Sequence, residues 1–213
     1  MEVVILTVVF FALAALGFGL WWFSGHQVGK RRLQKVLTTP IAEAPEGAWV
    51  KVTGTLTFAG EEELEGPLTG RRCAGYVIEV KERMRSGANV NWETIITKED
   101  AVAFVIEDAT GKALVKAGGA HLVLVRDGHV RSGDVDEHSE RAQAFLMAQG
   151  TPSENVLRKK KAFRYEEGVL EPGEEVSVLG VATWTVGADG VRHLVVEATE
   201  EHPLTISDDP STL

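Results

Sequence analysis

The strongest constraint in the sequence is Val3 to Phe23, a run of 21 residues without a charge (VVILTVVFFALAALGFGLWWF). As a helix rising about 1.5 Å per residue it would be about 31 Å long, the thickness of a bilayer's hydrocarbon core. Trp21 and Trp22 close the run, where indole rings favour the membrane interface. Lys30, Arg31, Arg32 and Lys35 follow, and no basic residue precedes the run. The positive-inside rule then predicts an N-terminus outside and a C-terminal bulk in the cytoplasm. A cleaved signal peptide would place its positive charge before a shorter apolar run, and a core helix would keep a polar face. Gly17 and Gly19 are two apart and do not make the GxxxG spacing of helix pairs. No second run of spanning length occurs, so the expectation is a single-pass protein of a cell's inner (plasma) membrane, anchored over residues 1–25 through Val3-Phe23. Lys30, Arg31, Arg32 and Lys35 fall in a juxtamembrane linker, residues 26–47, and are read as a topology signal rather than a lipid site.

Charge is divided as unevenly as hydropathy. The chain carries 22 basic and 31 acidic side chains, a net −9. Four of the basic and one of the acidic lie before residue 36, which leaves 18 against 30, or −12, on the remainder. An acidic domain of that kind is repelled by anionic lipid and by nucleic acid, so no nucleic-acid partner is expected. Apolar residues at 44% and charged residues at 25% exclude wholesale disorder. The single cysteine, Cys73, excludes an intramolecular disulfide and any Cys-rich structural zinc site.

Beyond Pro45-Glu46-Gly47 the pattern turns to period two. Val50, Val52 and Leu56 fall on one side, with Lys51, Thr53, Thr55 and Thr57 on the other, as in a half-buried strand. Ala74 to Val80 alternates again, and Trp92 to Thr97 is rich in strand formers, with Ser86-Gly87-Ala88-Asn89 as the hairpin tip between them. Ala101 to Ile106 reads as a strand, Asp108-Ala109-Thr110-Gly111 as a turn, and Lys112 to Ala117 as the strand after it. Leu122 to Arg126 runs into Asp127-Gly128, a type I′ hairpin pair. Glu175 to Thr185 and Val191 to Ala198 flank a further hairpin at Gly187-Ala188-Asp189-Gly190. One helix is predicted over Asp136 to Gln149, with Ala142, Phe145, Leu146 and Gln149 on its inner face. About eight strands and one inserted helix predict a mainly β (α+β) fold: an antiparallel β-barrel or sandwich-like domain over residues 48–205, then a tail, 206–213.

Catalytic signatures are lacking. The sequence has no GxxxxGK[ST], no GxGxxG after a strand, no HExxH and no GxSxG. Gly118-Gly119 before Ala120-His121 lacks the lysine and the helix start of a phosphate loop, so it reads as a turn. His26, His121, His129, His138, His193 and His202 include no pair three or four apart, so neither metal nor cofactor is expected. Cys73 follows Arg71 and Arg72, and cations lower a thiol pKa. It also heads an apolar strand, where a cysteine serves as a small buried hydrophobe. The run Arg158, Lys159, Lys160 and Lys161, with Arg164 close behind, is a solvated face or a contact for an acidic partner or membrane surface. Trp92 follows the polar stretch 83–91 and is a candidate exposed anchor of an interface.

Three ordered elements carry a family resemblance. Leu64-Glu65-Gly66-Pro67-Leu68-Thr69-Gly70 leads to Cys73 and Tyr76. Ala103-Phe104-Val105-Ile106-Glu107-Asp108-Ala109-Thr110-Gly111 follows. Tyr165-Glu166-Glu167-Gly168-Val169-Leu170-Glu171-Pro172-Gly173 then runs to Val176 and Leu179-Gly180. This order resembles the GIDE domain, the membrane-adjacent module of MAPL-type mitochondrial E3 ubiquitin ligases that also occurs in bacterial and archaeal membrane proteins. The resemblance spans about residues 48–205. In the ligases the module lies between two membrane helices and precedes a RING, whose eight zinc ligands are mostly cysteines. With one cysteine and an end soon after Pro210, this chain is expected to be a RING-less prokaryotic member. What the resemblance implies is a non-catalytic interaction or scaffold module that recruits an unknown cytoplasmic protein partner. A thiol enzyme or redox sensor using Cys73, and a lipid- or small-ligand-binding barrel, are the alternatives. Most of the shared residues also have plain structural roles: Gly54, Gly70, Gly111 and Gly173 suit turns or bulges, Pro67 and Pro172 stiffen loops, Phe104 and Tyr76 suit a core, and Asp108 suits an Asx turn.

Overall fold

A computed structural model of the chain describes residues 28–86, 89–131, 137–150, 162–187 and 190–213. Val3 to Phe23 lies outside the described residues, as do Arg158, Lys159, Lys160 and Lys161. Among the described residues no helix is long and apolar enough to cross a membrane.

Five strands close a small barrel: β1 (Trp49–Phe58), β6 (Phe104–Glu107), β7 (Lys112–Val115), β11 (Glu175–Val186) and β12 (Arg192–Glu197). The ring runs β1-β6-β7-β12-β11 and returns to β1. The alternation of β1 is as predicted, with Val50, Val52 and Leu56 buried inward. Lys51, expected to face solvent, is buried instead, because the chain at Thr38 and Thr39 crosses it and the Thr39 amide donates to the Lys51 carbonyl. Halfway along β1 the pairing passes from one edge to the other, with β11 opposite Trp49 to Thr55 and β6, on the other edge, opposite Thr55 to Phe58. Gly54 sits at that change, where a Cβ would lie 2.6 Å from the Glu107 carbonyl oxygen. The expectation of an antiparallel barrel is corrected at one seam, since β7 and β12 are parallel. Parallel neighbours need a long crossover, and residues 116–191 supply it. Taken in chain order, the ring is first-second-third-fifth-fourth with third and fifth parallel, the strand order of an OB-fold.

Two insertions into that barrel build a second sheet. Residues 59–103 contribute β2 (Leu64–Glu65), β3 (Arg72–Cys73), β4 (Gly75–Ser86) and β5 (Asn89–Ala101). Residues 116–174 contribute β8 (His121–Val123), β9 (Gly128–Arg131), α2 (Glu137–Ala148) and β10 (Phe163–Leu170). The sheet order is β5-β4-β10-β9, all antiparallel. Ser86 pairs with Asn89, which places the hairpin tip where the sequence puts it. On α2, Ala142, Phe145 and Leu146 are buried as predicted, whereas Gln149 is exposed beyond the helix end. They pack on Tyr76, Ile78 and Val80 of β4, a core separate from the barrel's own around Val52, Phe104 and Ile106.

Three further expectations need correction. Asp127-Gly128 is not a hairpin: β8 pairs with β13 (Thr205–Ser207) and β9 with β10, in different sheets. Gly128 lacks the positive φ of a type I′ turn. Its missing Cβ serves packing instead, 3.0 Å from Thr69 Cγ2 and 3.2 Å from Glu167 Cβ. The predicted strand 101–106 is two strands, since the chain leaves β5 at Ala101 and enters the barrel at Phe104. Thirteen strands are described rather than about eight, because β2, β3, β8, β9 and β13 are too short to show a period.

The stretch read as a linker is packed. Residues 28–35 form a helix, α1, lying on β8 and β13. Leu33 is fully buried, and a Cβ on Gly29 would lie 3.0 Å from His121 Cδ2 and 3.1 Å from Val123 Cγ2. Lys30 bonds Asp209, and Gln34 donates to Ser211. The expected tail is likewise built in: Ser207 and Thr212 are buried, and Ser177 Oγ donates to the Thr212 carbonyl at 3.0 Å.

Candidate interaction face

Two of the three elements that carry the family resemblance, the first and the third, meet at one buried carboxylate. Glu167 of β10 is fully buried. Its Oε1 accepts from the Leu68 amide at 2.7 Å, and its Oε2 accepts from the Thr69 amide at 3.0 Å and the Thr69 hydroxyl at 2.5 Å. Arg71, at the end of the same loop, holds Asp127 at 2.7 and 2.6 Å and Glu171 at 2.8 Å. This knot ties the β2–β3 loop to both ends of the insertion that supplies β9 and β10. Its role is architectural, because every strong donor and acceptor in it has a partner within it. Asp108 does the same for the other end of the barrel. Its Oδ1 accepts from the Thr110 and Gly111 amides, the Asx turn the sequence predicts, and its Oδ2 accepts from the Ile41 amide at 2.9 Å. Burial pushes that carboxyl up, but the hydrogen bonds from Ile41, Thr110 and Gly111 prevail and hold it below its usual value.

The four-stranded sheet presents its second face differently. Tyr76, Ile78 and Val80 of β4 turn toward α2, so by alternation Glu79 and Lys81 turn away. Lys81 Nζ meets Glu166 of β10 at 2.5 Å and Glu79 at 3.5 Å, and Arg126 meets Glu79 at 3.2 Å. A bulge between Val80 and Lys81 shifts the register to β5. Beyond it the Arg164 guanidinium lies over the Trp92 ring, 4.1 Å from its centroid. Trp92 is opposite Arg83, and Arg164 is opposite Lys81, so the pair reaches diagonally across β4. Arg164 Nε is buried with no hydrogen-bond partner among the described residues, and Trp92 itself remains half-buried. The result is a row, Trp92-Arg164-Lys81-Glu166-Glu79-Arg126, from near the hairpin tip to the barrel. The outer side of the OB-like strands is plainer, with Lys112 paired to Glu107 at 3.0 Å and Lys116 to Glu197 at 2.8 Å.

The sequence model of a family described as GIDE, E3 ubiquitin ligase, matches residues 77–210, nearly two thirds of the chain. The chain belongs to the GIDE family. No curated protein and no solved structure matches it. The matched stretch runs from β4 to the C-terminal segment, so it contains the GIDE elements around Asp108 and Glu167. The Leu68-Thr69 loop that Glu167 holds precedes it in sequence but is bonded to it in space.

Of the residues singled out in the sequence of this GIDE chain, Trp92 and Arg164 are brought together. Arg158, Lys159, Lys160 and Lys161 lie outside the described residues. Lys30 is engaged by Asp209, whereas Arg31, Arg32 and Lys35 are exposed on α1. Cys73 is fully buried, and burial pushes its thiol up to about 12. The arginines beside it do not activate it, because Arg71 is held by Asp127 and Glu171 and Arg72 by Glu63. His121 Nδ1 lies 3.8 Å from Glu99, and the ring of His202 stacks on Trp49 at 5.3 Å. Among the described residues no group of three or more His, Cys, Asp or Glu side chains could hold a metal ion. Sequence reasoning missed Glu79, Lys81, Glu166 and Arg126. The signal was the Glu-x-Lys spacing of residues 79–81, which sets opposite charges on one face of a strand.

Proposed function

We propose that this GIDE chain is a non-catalytic module, anchored at an inner (plasma) membrane through Val3-Phe23 with its folded part in the cytoplasm, that recruits a protein partner to the face bearing Trp92. The observation that carries this reading is the Trp92–Arg164 stack, 4.1 Å from guanidinium to ring centroid, on the half-exposed end of a sheet face. Tryptophan and arginine are the residues that most often dominate binding energy at protein interfaces. Residues further along the same face supply charges of both signs for specificity. The uncharged run of 21 residues supports the anchor, and tethering raises the local concentration of whatever the face binds. Ubiquitin transfer of the RING type needs thiolate-rich zinc sites, and one buried cysteine cannot furnish them. The thiol-enzyme alternative is weakened by the same burial. The ligand-barrel alternative is weakened because Val52, Leu56, Phe104 and Ile106 fill the barrel interior.

Photocrosslinking tests the reading in the full chain. A photoreactive side chain at position 94, exposed two residues from Trp92 on the same face, is expected to capture a defined protein that the same group at Val186, exposed on the β11–β12 hairpin, does not capture. Arg164→Ala should abolish that adduct. Equal adducts at the two positions would defeat the proposal.

A further inference from the structure

We propose that α1 docks flat on an anionic lipid surface and thereby fixes which side of the barrel faces the bilayer. The inference rests on the anchor reading above but concerns different residues and a different ligand. Its first support is rigidity. Gly29 and Leu33 face the barrel, Lys30 is held by Asp209, and Gln34 donates to Ser211, so α1 is part of the folded unit rather than a tether. The second support is what α1 leaves outside. Arg31, Arg32 and Lys35 stand at i, i+1 and i+4, on the side away from the buried Leu33, and all three are exposed. Among the described residues none of them is paired with a carboxylate, in contrast to Lys30. Leu37, just past the helix, is 88% exposed.

Reach supplies the third support. Five residue steps separate Phe23, the end of the apolar run, from residue 28, the start of α1. Fully extended, they cover at most about 18 Å. A helix on so short a leash lies at headgroup depth or just below it. Charge then chooses the orientation. Residues 36–213 carry 18 basic against 30 acidic side chains, so the body of the domain is repelled by the surface that attracts α1. With the cations inward to the lipid, β8 and β13 form the membrane-proximal side of the barrel. The ligand is the phosphodiester headgroup of anionic lipid, and each cation near such a surface strengthens association by about fivefold at low salt.

The test uses the full chain, reconstituted in vesicles of phosphatidylcholine alone or mixed with phosphatidylglycerol, with a solvatochromic label on Leu37→Cys. The expected result is a blue shift and strong quenching by a headgroup-attached quencher in the mixed vesicles alone. Both should vanish in the Arg31→Gln, Arg32→Gln, Lys35→Gln triple variant, and in about 1 M KCl, where the Debye length falls to about 3 Å. A label that reports the same environment in both vesicle types, or in the triple variant, overturns the proposal. So does quenching that appears only on adding an acidic protein. Flotation separates this from the anchor reading. A chain that floats with phosphatidylcholine vesicles but leaves the label in water keeps the anchor and loses the docking. One that floats only with the mixed vesicles, dependent on the three cations, keeps the docking and loses the anchor. Flotation with neither removes both.

Discussion

Glu167 and Thr69 meet across 98 residues of chain, carboxylate to hydroxyl at 2.5 Å and carboxylate to amide at 3.0 Å. The same carboxylate also takes the Leu68 amide, so one buried side chain organises a whole loop. Burying a charge is costly unless donors surround it, and here three do. Removing the acceptor leaves one buried and one part-buried amide unpaired. Glu167→Ala is therefore expected to cost about 3 kcal/mol in urea unfolding. Glu167→Gln, which keeps one acceptor oxygen, should cost less. Equal midpoints for wild type and the alanine variant would show that the loop is not held this way.

Gly54 makes the barrel's closure testable at one methyl group. A Cβ there would lie 2.6 Å from the Glu107 carbonyl oxygen, and backbone cannot retreat as a flexible side chain can. Gly54→Ala should destabilise by about 2 kcal/mol and lower hydrogen-exchange protection over residues 55–58, where β1 pairs with β6. Gly60 is the control, since nothing lies within 4 Å of its Cβ position, and Gly60→Ala should stay within about 0.5 kcal/mol.

What was legible in the sequence was what local interactions determine. The β1 alternation, the Ser86 to Asn89 tip and the 187–190 hairpin each follow from a few adjacent residues. So does the Asp108 turn, whose acceptor oxygen reaches only two and three residues ahead. The Asp127-Gly128 reading failed because the strands on either side of it pair with distant segments, β8 with β13 and β9 with β10, rather than with each other. Lys51 looked solvent-facing because nothing local announces that Thr38 and Thr39 will cover it. Trp92 and Arg164 were each visible as residues, one after a polar stretch and one behind a basic run. Their meeting was not, because it depends on β4 lying between them and on a bulge in its register.

Cys73 gives a direct chemical test. With its thiol pushed up to about 12 by burial, fewer than about one molecule in ten thousand holds a thiolate at pH 7.5. Iodoacetamide should leave the native chain unmodified over hours and alkylate it promptly in urea, read by mass spectrometry. Rapid native labelling would restore the thiol-enzyme alternative.

Asp208 and Asp209 are neighbours with opposite pH behaviour. Burial raises the Asp208 carboxyl to about 6, while its Oδ1 accepts from the Val125 amide at 2.8 Å. The Lys30 ammonium, hydrogen-bonded to Asp209, lowers that carboxyl to about 2. The unfolded value of both is near 3.9. For Asp208 the folded state holds its proton more tightly, so stability falls as pH rises from about 4 through 6 and stays reduced above that. For Asp209 the folded state holds its proton less tightly, so its contribution is complete above about pH 4 and is lost toward pH 2. Asp208→Asn keeps an acceptor for the Val125 amide and removes the ionisation. It should raise the Tm relative to wild type at pH 8 and leave it nearly unchanged at pH 4. Asp209→Asn should do the reverse, lowering the Tm at pH 8 with a deficit that shrinks toward pH 2. Two thermal melts of each variant at each pH decide it, and parallel Tm profiles for the two variants would contradict the assignment.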